Sequence, residues 1–72
     1  MAAKSRYRKA YDSLFEAKAI AEEFKRGGNI DMPGPTDAWA EEDGDIAYVY
    51  VELAGNAGTD ALAESAGWER VG

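Results

Sequence analysis

Seventy-two residues with no cysteine and no histidine must hold their fold by packing alone. No disulfide or thiolate metal site can staple the chain, and the commonest transition-metal ligand and general base is missing as well. A chain this short forms one domain, residues 1–72, and buries only about 60% of the surface it exposes when unfolded. The hydrophobic share of 46% overstates the core, because 14 of those residues are alanine and, Met1 aside, only 18 larger apolar side chains remain. The expectation is a single thin core, helped by a partner or by self-association.

Residues 5–26 read as one long helix. Tyr7, Tyr11, Leu14, Ala17, Ala21 and Phe24 recur at spacings of three and four, with Arg8, Asp12, Glu16 and Glu23 opposite. No proline or glycine interrupts the segment, and Gly27-Gly28 after Lys25-Arg26 suit a helix end. Pro33, Gly34 and Pro35 mark residues 29–36 as an internal loop. Next come a short strand, Asp37 to Glu41, a turn at Asp43-Gly44, and the strongest strand of the chain, Asp45 to Leu53, where Ile46, Tyr48 and Tyr50 alternate with Ala47, Val49, Val51 and Leu53. Thr59 caps a short helix running to about Ala66, Gly67 ends it, and Trp68 to Val71 forms a last strand. The predicted fold is α+β, in the order α-β-β-α-β: a long N-terminal helix packed on a small, largely antiparallel three-stranded sheet.

Charge is segregated along this framework. Residues 1–26 carry seven Lys and Arg against four Asp and Glu, a net of +3; residues 27–72 carry one Arg against ten acids, a net of −9. Lys4, Arg6, Arg8 and Lys9 would sit at the start of the predicted helix, where cations oppose the helix dipole, so local stability gives no reason for them. Four cations without a recognition motif, in a chain of net charge −6, argue against direct nucleic-acid binding, and Arg6, Arg8 and Lys9 are held as a second candidate surface. The acids Glu41, Glu42, Asp43 and Asp45 cluster at the hairpin, but not as a calcium loop. With Gly44 at that loop's glycine, Trp39 would stand at its first ligand position and Tyr50 at its closing glutamate. No metal and no cofactor is expected. Gly55 to Thr59 lacks the glycine spacing and Lys-Ser/Thr pair of a phosphate loop, and Ser5, Ser13 and Ser65 have no histidine to activate them, so the chain reads as a non-enzyme. No apolar run approaches the roughly 20 residues of a membrane span, and the basic N-terminus lacks a signal-peptide core; a cytoplasmic protein without membrane contact is the expectation.

Tyr48 and Tyr50 on one strand face beside the acidic hairpin, with Glu52 on the same strand, form the leading partner-binding candidate together with Glu41, Glu42, Asp43 and Asp45. The expected partner is a basic protein surface, such as the nucleic-acid-binding site of an effector. In size, acidity and lack of catalytic equipment the chain resembles small phage-encoded inhibitors, including anti-CRISPR proteins and DNA mimics. That resemblance implies blockage of a Lys/Arg-rich groove on a CRISPR effector or nuclease, in the cytoplasm of a host cell. The alternative is a small structural or assembly protein, homodimeric or part of a larger complex such as a virion, whose positive end meets the negative end of another copy.

Overall fold

The first seven structured residues form a strand, and this reorganises the whole molecule. The computed structural model describes residues 4–26, 37–53, 55 and 57–71. Its elements are β1 (Ser5–Tyr11), α1 (Leu14–Lys25), β2 (Asp37–Asp43), β3 (Ile46–Leu53), α2 (Ala57–Ser65) and β4 (Glu69–Arg70). Among the described residues the fold is α+β with an antiparallel sheet and two helices, as the sequence suggests, but the order is β-α-β-β-α-β and the sheet has four strands. The predicted helix over residues 5–26 is thus corrected to a strand followed by a helix of 12 residues. Tyr7 and Tyr11 mislead because a spacing of four fits one helical turn and also two strand repeats. The burial pattern decides for a strand: Ser5 and Tyr7 are buried, whereas Arg6 between them is exposed. The loop predicted over residues 29–36 and the Gly27-Gly28 helix end lie outside the described residues.

Asp12 and Ser13 separate β1 from α1. Ser13 is the N-cap, extended at φ −149° and ψ 158°, and its hydroxyl accepts a hydrogen bond from the Glu16 amide at 3.1 Å. This satisfies one of the free amides of the first turn, and Ser13 to Glu16 has the S-x-x-E spacing of a capping box. At the hairpin the turn is Gly44-Asp45, one residue later than predicted, with Asp43 paired to Ile46. Gly44 has φ +65° and Asp45 is not in the positive region, the glycine-first pattern of a type II′ turn. Accordingly β2 runs on to Asp43. Thr59 lies inside α2 rather than capping it, since the helix begins at Ala57. Gly67, at φ +90°, ends α2 as expected: its amide bonds to the Glu64 carbonyl and the Trp68 amide to the Ala63 carbonyl, a Schellman closure.

The strand order is β2-β3-β1-β4, and every neighbouring pair is antiparallel. Because β1 and β2 both run against β3, they are parallel to each other with β3 between them, the split-βαβ arrangement of ferredoxin-like topology. Function does not follow from that topology. Both helices pack on one side of the sheet. Val49, Val51, Leu53, Ala47, Ala38 and Tyr7 from the strands meet Ala17, Ala21 and Phe24 of α1, Ala63 of α2, and Trp68. Phe24 and Trp68 meet edge to face at 5.4 Å and 75°. Five of the eleven buried hydrophobic residues among those described are alanine, so helix and sheet approach closely around a thin core.

Candidate interaction face of the sheet

Strand register places the other side of the sheet in the open. Directly opposed residues of an antiparallel pair share a face. The pairs Arg6–Glu52, Arg8–Tyr50, Ala10–Tyr48, Trp39–Tyr50, Glu41–Tyr48, Asp37–Glu52 and Arg8–Glu69 therefore assemble one surface across all four strands, with neither helix on it. Trp39 and Tyr50 stack at 5.7 Å and 4° between ring planes, and Tyr48 lies 6.0 Å from Tyr50. The three rings form the half-buried centre of the face, and carboxylates surround them.

Arg8 organises this surface. Its guanidinium lies 4.1 Å from the centre of the Tyr48 ring. It donates to Asp43 at 3.1 Å, to the Tyr50 hydroxyl at 3.4 Å, and through two nitrogens to Glu69 at 3.4 Å. The Tyr50 hydroxyl first, and then Glu69, raise the Arg8 pKa above its ordinary value. It is a fixed positive charge with its bonding directions engaged. Arg6 bonds Glu52 at 3.2 Å, and Lys4 reaches the same carboxylate at 3.4 Å. The face thus carries Asp37, Glu41, Asp43, Glu52 and Glu69 against Lys4, Arg6 and Arg8, a surplus of two acids, and all three cations are in ion pairs.

The residues nominated from sequence are redistributed by this register. Glu41, Asp43, Tyr48, Tyr50 and Glu52 come together on the open face. Glu42, paired with Ala47, belongs to the helix side, though it is exposed, and Asp45 sits in the exposed turn. Arg6 and Arg8 are not a separate surface; they share the open face with the acids. Lys9 is on the helix side, where its ammonium donates to the Ala66 carbonyl at 3.4 Å and lies 5.9 Å from the Trp68 ring centre. A cation at the carboxyl end of α2 complements the helix dipole.

Trp39, Asp37 and Glu69 were not nominated. For the first two the signal was present in Asp37-Ala-Trp39-Ala-Glu41-Glu-Asp43, where every odd position is polar or aromatic and two of the even ones are alanine. Glu69 lies in a strand of only two residues, which has no period to read.

Among the described residues no three His, Cys, Asp or Glu side chains converge to hold a metal ion. No helix among them is long and apolar enough to cross a membrane. Compared with known proteins, the chain matches no family model, no curated protein and no solved structure.

Proposed function

We propose that the chain is a non-enzymatic binding module that docks its open sheet face on a basic protein surface, and that it inhibits the partner by covering a nucleic-acid-binding site. One observation carries this: an aromatic centre of Trp39, Tyr48 and Tyr50 inside a rim with more acids than bases, on a sheet face that neither helix covers. Aromatic side chains supply large contact area at little entropic cost and stack on arginine, while the surplus carboxylates speed and orient the encounter. The state of the cations supports a protein partner over nucleic acid. Arg6 and Arg8 already hold carboxylates, so phosphates would have to break those pairs and meet the acids beside them. A CRISPR effector or nuclease has the Lys/Arg-rich groove this chemistry fits.

Self-assembly keeps in its favour an edge of β2 that has no partner strand among the described residues, but head-to-tail attraction between charged ends is weaker support once Lys4, Arg6 and Arg8 pair with acids of their own chain. The test uses purified nucleic-acid-binding effectors, with the parent chain compared against Asp37→Asn, Glu41→Gln and Asp43→Asn combined, all three on the open face. Docking predicts competition with the effector's nucleic acid, affinity that falls as salt rises, and a loss of about tenfold or more in the variant. Equal affinity of parent and variant for the same effector would contradict it.

A further inference from the structure

Strand β2 is the outermost strand next to β3, and among the described residues nothing pairs with its other side. In a two-residue hairpin the closing pair, here Asp43 and Ile46, exchanges both backbone bonds, so alternate residues turn their amides and carbonyls outward. Those residues are Ala38, Ala40 and Glu42. The Ala38 amide agrees with this, since it bonds to the Asp37 carboxylate at 2.8 Å rather than across the ladder. Beside this edge a groove of about 440 Å³ runs between β2 and α1, lined by Lys18, Ala21, Glu22, Lys25, Trp39 and Ala40.

From this edge and groove we infer that β2 accepts an extended segment of the partner protein as a fifth strand, with basic residues alternating with apolar ones. The inference deepens the proposed docking function and rests on it. The alternation follows from the pleat. Side chains of an added strand on the open face would lie beside Asp37, Trp39, Glu41 and Asp43, which select Lys or Arg; those on the other face would lie over Ala40 and Ala21 in the groove, which select apolar groups. A second copy of the chain fits poorly. Antiparallel pairing of β2 with itself about Ala40 sets Asp37 against Asp43, and opposed like charges destabilise a sheet.

The test is fluorescence anisotropy with a labelled peptide of alternating lysine and valine as long as β2, seven residues. Two further versions are N-methylated, one at every valine and one at every lysine. Charge and composition of the side chains are unchanged, but each loses the backbone donors of one edge. Strand addition predicts that one methylated peptide loses about tenfold or more in affinity while the other binds like the parent peptide; for antiparallel addition the valine version is the one that loses. Ala40→Pro removes an outward amide of β2 and, on a free edge, leaves the ladder to β3 intact, so it should weaken the parent peptide in the same way. Equal binding of all three peptides, weakened by salt, would remove strand addition and leave charge-driven docking standing. Failure of every peptide to bind a folded parent chain would overturn the inference without touching the effector competition, which has its own readout. A dimer that Ala40→Pro dissociates would assign the edge to a second copy and overturn it as well.

Discussion

Arg8 decides how much of the open face's negative charge is left for a partner. It holds Asp43 and Glu69 and packs on Tyr48, so Arg8→Ala frees two carboxylates and uncovers a ring. Docking on a basic protein predicts equal or tighter binding of an alternating lysine–valine peptide by this variant, together with a lower melting temperature. Loss of peptide binding would mean that Arg8 itself makes the contact. Tyr7 is the other residue with a specific consequence. It is fully buried and its hydroxyl donates to Glu64 at 3.1 Å. Burial first, then the hydrogen bond to Glu64 and the charge of Asp60, raise its pKa above the ordinary 10.0. The folded chain therefore holds this proton more tightly than the unfolded one. That contribution to stability is complete below about pH 10 and is lost as pH rises through the folded value. Tyr7→Phe should remove this component of alkaline unfolding, seen as a flatter fall of melting temperature above pH 10, with tyrosinate absorbance reporting the missing late titration. An unchanged alkaline slope would place the titration elsewhere.

At the scale of elements, the caps and turns carry measurable stability. Ser13→Ala removes the side-chain acceptor at the start of α1 and should cost about 1 kcal/mol in denaturant unfolding. Gly44→Ala meets no atom within 4 Å, so its cost of about 1 kcal/mol comes from the positive φ alone. Strand β3 was legible in the sequence because Ala47, Val49, Val51 and Leu53 alternate strictly with half-exposed Tyr48, Tyr50 and Glu52. Strand β1 was not, because its helix-side positions are Ser5, Tyr7, Lys9 and Tyr11, two of them polar, and Ala10 sits on the solvent side. Two local signals did point to the strand. Four cations at a helix start oppose its dipole, whereas in the sheet Lys4, just before β1, and Arg6 and Arg8 on it pair with Glu52, Asp43 and Glu69. The Ser13 to Glu16 box also places the helix start at Leu14, nine residues after Ser5. The candidate face suffered from the same misreading: Tyr48, Tyr50 and Glu52 could be seen on one strand, but their union with Arg6, Arg8 and Trp39 needs a register between strands far apart in sequence.

For the molecule as a whole, segregated charge along the chain becomes mixed charge on one surface. Folding brings β1 from the positive part of the sequence beside β3 from the negative part, so the two poles neutralise each other in cross-strand pairs and leave a modest acidic surplus around three aromatic rings. The thin core expected from 14 alanines is what the structure contains, with alanine at many points where helix meets sheet. Leu53→Ala and Val51→Ala each truncate a side chain with no exposure, and each should cost about 2 kcal/mol or more and lower the melting temperature. Thermal melts of these variants check that directly. The location of binding is tested most directly by amide chemical-shift mapping while the lysine–valine peptide is titrated into the labelled chain. Docking on the open face predicts shifts concentrated on β2 and β3, at Trp39, Glu41, Asp43, Tyr48 and Tyr50, that disappear at high salt. Shifts confined to the outer surfaces of α1 and α2, with those five residues unmoved, would contradict it.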